Sequence, residues 1–271
     1  MRYSRINNIL LNNQVVSYTD NGPEKAPVII FIHGFPLNKT MWDKQVDALQ
    51  ANYRVISYDI RGHGESDSGN DDFSIDLFVS DLLSLMDALK IDKASLCGLS
   101  MGGYIALNAV EINPGRFDAL VLSDTNCIAD PPELRQKRRD TIENIKAFGV
   151  EKYVNDSIVN LFAPESFTSN NEAVSNVKNM IINTCEQSLR KTLIALSLRK
   201  STCNKLSEIK IPVLFIVGEE DKITPPKASE LMHEKIKEST LHIIAGAGHL
   251  SNLENPDEFN EQLIKFFATV Y

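Results

Sequence analysis

The sequence predicts an α/β protein built on a mostly parallel, doubly wound sheet of eight strands, with a block of helices inserted into it. Three observations carry this. Short β-branched apolar runs alternate with amphipathic helical stretches, as in strand–helix–strand units. Four of the first five central runs are nearly continuous in apolar residues, as strands covered on both faces must be. Between Asp124 and Lys210 the alternation stops, helical patterns follow one another, and the strand pattern then resumes.

Taken in order, segments around 2–10 and 13–20 read as an antiparallel start to the sheet. The strands that follow are "PVIIFIHG" (27–34), "YRVISYD" (53–59), "KASLCGL" (93–99), "FDALVLSD" (117–124), "PVLFIVGEED" (212–221) and "STLHIIAGAG" (239–248). Helices are expected at roughly 40–51, 74–90, 100–112, 226–238 and 256–269. The economical division is a core of residues 1–129 and 207–271, interrupted by a helical cap of 130–206. Most of the cap's large apolar side chains, Ile142, Ile145, Phe148 and Leu193 among them, are expected to pack on the core. Some should line a pocket. Trp42 is expected to pack a helix against the sheet.

Composition narrows the function. The chain has 271 residues, 43% hydrophobic and 24% charged, which suits a globular protein with a sizeable core. Its net charge of -8 argues against nucleic-acid binding, which needs a concentrated basic surface. The basic run from Arg135 to Arg139 reads as a solvated helix face, and Arg199 as exposed, although any of these arginines would suit an acidic substrate. No apolar stretch is long enough for a signal peptide or a membrane span. Cys97, Cys127, Cys185 and Cys203 show no CxxC spacing and read as free thiols in a reducing compartment, so a cytoplasmic location is expected. Nothing in the sequence marks an oligomeric state.

Gly98, Leu99, Ser100, Met101 and Gly102 form Gly-x-Ser-x-Gly between a strand and a helix. A serine at the tip of so sharp a turn needs glycines two residues to either side, where side chains would collide. The helix N-terminus then aims free N–H groups at developing negative charge. Neither a dinucleotide fingerprint nor a phosphate loop fits this stretch, since Ser100 stands where glycine would be required and no Gly-Lys-Ser/Thr follows.

A serine hydroxyl needs a general base, and the base an orienting carboxylate. Of the five histidines, His242 lies in a strand pattern, His233 in a helix and His63 in a turn. His249 follows the last strand in a loop, where an open α/β sheet places its site. Asp221, after the strand at 212–218, is the first choice for the carboxylate, with Glu219 and Glu220 as close rivals and Asp124 behind them. The backbone N–H groups of Met101 and Phe35 would form an oxyanion hole. His33 is expected to brace the loop that carries Phe35.

The stretches "FIHGFP", "YDIRGHGESD", "GLSMGG", "VGEEDKITPP" and "GAGHLSNLENPDEF" resemble, in order and over nearly the whole core, the signatures of the α/β-hydrolase superfamily. Within it the chain is similar to the esterase, enol-lactonase and non-metal haloperoxidase group, which carries a helical cap after its sixth strand. The resemblance implies a triad of Ser100, Asp221 and His249 and an oxyanion hole of Phe35 and Met101. It implies hydrolysis of small-molecule esters or lactones through an acyl-enzyme, without metal or organic cofactor. A thioesterase or carbon–carbon-bond hydrolase would use the same triad. A non-catalytic binding or signalling member of the fold is the reading from another class, and such members often lack a triad residue.

Overall fold

The computed structural model describes residues 6–271. Eight strands form one sheet: β1 (Ile6–Leu11), β2 (Gln14–Asn21), β3 (Val28–Ile32), β4 (Arg54–Tyr58), β5 (Ala94–Leu99), β6 (Phe117–Ser123), β7 (Val213–Gly218) and β8 (Ser239–Ile244). Their spatial order is β1-β2-β4-β3-β5-β6-β7-β8. From β4 to β8 every pairing is parallel, and β2 is antiparallel to both of its neighbours. The expected eight-strand, mostly parallel sheet is therefore present. The first expected segment reaches back to residue 2, and its part before Ile6 lies outside the described residues.

The apolar runs form strands because both faces of the sheet are covered. On one face Ile30, Ile32, Leu96, Leu120 and Phe215 pack under α2 (Ile75–Ala88) and α3 (Met101–Ile112). On the other Ile29, Phe31, Cys97, Val121 and Leu214 pack under α1 (Asp43–Leu49) and the last helix, Pro256–Val270. Successive residues of one strand thus enter different cores, which is the period of two expected of a pleated strand. The edge strand β1 instead alternates between exposed and part-buried positions. Trp42 is fully buried, stacked on Phe31 at 4.7 Å and near Phe259 at 6.1 Å, so it packs a helix on the sheet as expected. The last helix begins at an Asn255 cap with Pro256 in its first turn, and buries Phe259, Leu263 and Phe267 at i, i+4 and i+8.

Between β6 and β7 the described chain is helical: α4 (Pro132–Ser157), α5 (Ser166–Ser169), α6 (Asn171–Ile182) and α7 (Glu186–Leu198). α4 bends at Gly149, whose φ of 80° belongs to the left-handed region that glycine enters freely. Phe148, just before the bend, is 62% exposed, so it does not join the packing expected of it. After β7 come α8 (Pro226–His233), α9 (Ser251–Glu254) and α10, the Pro256–Val270 helix.

The expected free thiols are also overturned in part. Cys127 and Cys203 are joined in a disulfide, and only Cys97 and Cys185 are free. The two bonded residues stand 76 positions apart, with the inserted helices between them, so sequence spacing gave no sign of the pairing. The argument from free thiols to a reducing compartment falls with it. No described helix is long and apolar enough to cross a membrane.

Candidate active site

Three loops at the carboxyl ends of the strands converge on Ser100. The first is the turn from β5 into α3. Ser100 sits there with φ 54° and ψ -112°, a strained conformation for a residue with a side chain. A Cβ on Gly98 would lie 2.7 Å from the Gly103 nitrogen and closer still to the Gly102 carbonyl. A Cβ on Gly102 would run into the Ile32 carbonyl at the end of β3. The first clash is the expected one across the turn. The second is a different constraint, since Gly102 lets α3 approach a neighbouring strand. The Ser100 backbone is held from outside: its N–H donates to Ser123 O at 2.9 Å and its carbonyl accepts from Thr125 Oγ1 at 2.8 Å.

The second loop follows β7. Asp221 is buried, while Glu219 and Glu220 point to solvent, which separates the rivals. Asp221 Oδ1 accepts the N–H groups of Ile223 at 2.8 Å and Thr224 at 3.0 Å. Its Oδ2 accepts the Thr224 hydroxyl at 2.7 Å. The third loop follows β8 and carries His249, which is 2% exposed. His249 Nδ1 lies 2.8 Å from Asp221 Oδ2, and Nε2 lies 2.9 Å from Ser100 Oγ. An ionised carboxylate only accepts, so Nδ1 carries the hydrogen and Nε2 accepts from the serine hydroxyl.

Burial alone would push the Asp221 carboxyl up, but the facing imidazole and the Thr224 donors outweigh it and hold it at about 2. Burial lowers the basicity of His249. The Asp221 charge more than reverses this, and the imidazole ends above its ordinary value. An imidazole so placed can take a hydroxyl proton and stabilise the resulting charge against a fixed carboxylate.

Asp124, the second-ranked carboxylate, is brought close but not onto the imidazole. Its Oδ1 accepts Gly218 N–H at 2.9 Å, and its Oδ2 accepts Ser123 Oγ at 2.6 Å and Ser251 Oγ at 2.5 Å. It thereby ties the ends of β6 and β7 to the segment just after His249. Burial and the nearby Asp221 charge push its carboxyl up to about 7.

The loop after β3 lies against the serine. A Cβ on Gly34 would be 3.4 Å from Ser100 Cβ, and Phe35, the next residue, lines the same cavity as Ser100 and Met101. His33 fixes this loop: its Nε2 accepts Ile60 N–H at 2.9 Å, so its Nδ1 donates to Gly34 O at 2.9 Å. Burial drives its basicity well below normal, which suits a neutral brace. The Phe35 ring faces Tyr153 of α4 at 6.5 Å.

A cavity of about 320 Å³ opens over Ser100, Met101 and His249. Leu161, Leu193 and Leu196 of the inserted segment line it, as some of its apolar residues were expected to. Arg138 and Arg199 line it too. This corrects the expectation of exposed arginines, for Arg199 is 7% exposed and both donate to the buried Asp130. Arg139 is exposed as expected. Sequence reasoning also missed Thr224, although an Asp followed by N–H donors two and three residues on is a recognisable turn.

The sequence profile of the alpha/beta hydrolase fold matches residues 27–256, and the chain belongs to that family. Over 270 residues it is 31% identical to 3-oxoadipate enol-lactonase 1 of Acinetobacter baylyi, covering 98% of this chain and 99% of that protein. Its structure is similar to that of a thermophilic esterase from Thermogutta terrifontis, determined with malate bound. That likeness has a TM-score of 0.93 at 28% identity and covers 98% of this chain and 99% of the other. It is also similar to the enol-lactonase of Burkholderia xenovorans LB400, with a TM-score of 0.90 at 25% identity, over 97% of this chain and 100% of the other.

Proposed function

We propose that this chain is a serine hydrolase of small carboxylic esters and lactones, working through Ser100, His249 and Asp221. The observation that carries the reading is the unbroken line of buried hydrogen bonds from Ser100 through His249 to Asp221, beside a cavity of substrate size. The names of the similar enol-lactonase and esterase point the same way.

In this mechanism Ser100 Oγ attacks the substrate carbonyl carbon while His249 Nε2 takes the hydroxyl proton. The Asp221 charge stabilises the imidazolium and keeps its ring oriented. The carbonyl oxygen becomes an oxyanion held by the N–H groups of Met101 and Phe35, the former at the first turn of α3 where the helix dipole adds its field. The intermediate collapses, the C–O bond to the leaving group breaks, and His249 returns its proton to the departing alkoxide. Water then enters, gives a proton to His249 and attacks the acyl carbon. Collapse of this second intermediate frees the acid and restores the serine proton. In a lactone the leaving alkoxide stays attached to the acyl group, so one product leaves. Residues 130–206 act as a cap that closes the cavity over the ester and limits the water that reaches it.

The test is direct. A fluorophosphonate should label Ser100, and hydrolysis of short p-nitrophenyl esters should fall at least about a thousandfold in Ser100→Ala. A chain that takes no label at Ser100, or whose Ser100→Ala variant keeps its esterase activity, would sink the proposal.

A further inference from the structure

Glu254 ends α9, shortly after His249, and stands outside the hydrogen-bonded line of Ser100, His249 and Asp221. Its carboxylate spans two parts of the molecule. Oε1 accepts Gly248 N–H at 2.8 Å, on the residue next to the imidazole. Oε2 accepts Ala163 N–H at 2.8 Å and the Ser166 hydroxyl at 2.6 Å, both in the inserted segment. Two peptide N–H groups, one on each oxygen, suit an ionised carboxylate, which only accepts. Burial outweighs these donors and raises the carboxyl above its ordinary value.

The contact is close as well as polar. A Cβ on Gly248 would lie 2.5 Å from Ala163 N and 2.7 Å from the Phe162 carbonyl carbon, so the inserted chain and the His249 loop meet backbone to backbone. Phe162 and Ala163 are buried, and Leu161, just before them, lines the cavity over Ser100. A bound molecule that displaces Leu161 therefore pulls on Ala163, and through Glu254 on Gly248.

We propose that Glu254 is a positioning residue for His249, a latch that makes docking of the inserted segment and alignment of the imidazole one event. The inference rests on the reading of His249 as the base of an ester-cleaving serine. The backbone beside His249 cannot shift without breaking the bond from Gly248 or dragging Ala163 with it. The carboxylate also adds negative charge near the imidazole, alongside Asp221 and Asp124. Tyr104, Lys137, Arg138, Tyr153, Arg199 and Lys222 line the cavity on the open side of the ring.

The experiment follows kcat and the acid limb of kcat/KM on a p-nitrophenyl ester. In Glu254→Gln the amide nitrogen must face one of the two N–H donors, so one arm of the latch is lost together with the charge. Its kcat should fall about tenfold to a hundredfold. Its acid limb should move to lower pH by about half a unit, because a negative charge that favours the imidazolium is gone. Glu254→Asp keeps the charge on a shorter arm, so the limb should return toward the wild-type position while kcat recovers only in part. Ser166→Ala is the milder variant. It removes one donor from the inserted segment and should lower kcat about threefold to tenfold with the limb in place. Asn170→Ala is the comparison for docking alone, since Asn170 caps α6 and ties it to Leu253 O at 3.0 Å without touching the Glu254 carboxylate. It should lower Tm and leave the limb unmoved. Wild-type kcat in Glu254→Gln or in Ser166→Ala would overturn the proposal. So would a Glu254→Gln chain that matches Asn170→Ala in kcat, limb and Tm alike. The 15N titration of the His249 ring in Ser100→Ala reads the same coupling without turnover, its signal assigned by its absence in His249→Gln. A midpoint that falls when Glu254→Gln is added supports the latch even if the wild-type chain cleaves no ester, in which case only the hydrolase reading fails. Normal ester cleavage with an unmoved ring midpoint would overturn the latch and leave the hydrolase reading standing.

Discussion

Replacing Gly102 by alanine isolates the demand that the serine turn makes on its surroundings. Gly102 has no left-handed backbone, so an alanine there meets no conformational penalty and even gains helix propensity of about 1 kcal/mol. What it meets is β3. The new methyl carbon would lie 2.7 Å from the Ile32 carbonyl carbon and 3.0 Å from the His33 carbonyl oxygen. Carbon atoms rest about 3.5 Å apart, so α3 and β3 must separate by roughly 1 Å. Both contacts are backbone, and no side chain can swing away. Overpacking of this kind costs about 1–3 kcal/mol, which exceeds the propensity gain in most of its range. The larger effect is on activity. Ser100 moves with α3, and Phe35 with the end of β3, so the proposed nucleophile and one proposed oxyanion donor part by the same amount. A displacement of about 1 Å lowers rates roughly a hundredfold. The assay is kcat/KM on a p-nitrophenyl ester with thermal unfolding alongside. Gly115→Ala is the control, because nothing lies within 4 Å of its added carbon. A Gly102→Ala chain with wild-type kcat/KM and Tm would refute the argument from space.

Two more outcomes follow from groups away from that contact. The raised basicity of His249 means that activity, which needs the neutral imidazole, should fall on the acid side with a midpoint above the ordinary imidazole value of about 6.5. A pH profile of kcat/KM checks this, and an acid midpoint below that value would contradict the Asp221–His249 pairing. The disulfide closes a loop with a sequence separation of 76, for which chain entropy gives about 4.5 kcal/mol at most. The double variant Cys127→Ser, Cys203→Ser should therefore unfold several degrees lower, and a thiol reductant should lower the wild-type Tm but not that of the variant.

The sheet was legible because its strands are covered on both faces, so their apolar runs stand out without help from tertiary knowledge. Ser100 and His249 were legible because each follows a strand into a loop. The carboxylate was harder. Glu219, Glu220 and Asp221 are adjacent, and only the short Asp side chain folds back onto the N–H groups of Ile223 and Thr224 while still reaching His249. Arg199 was misread because helical patterning takes a charged residue to face water, whereas here Asp130, two carbonyls and a tyrosine ring replace the water. The Cys127–Cys203 bond joins the two ends of an insertion, and proximity of that kind has no local pattern.

That bond has a topological consequence. The chain leaves the core at Cys127, shortly after β6, and returns at Cys203, with the two Cα atoms 4.9 Å apart. Everything between them is a closed ring hung from one covalent stitch. The crossover that a parallel pair such as β6 and β7 requires is then left to the stretch from Cys203 to Val213, part of which shares a groove with the end of α3. The ring could be excised or exchanged as a cassette, with a turn of a few residues in place of the stitch, and the sheet would not need to be rewired.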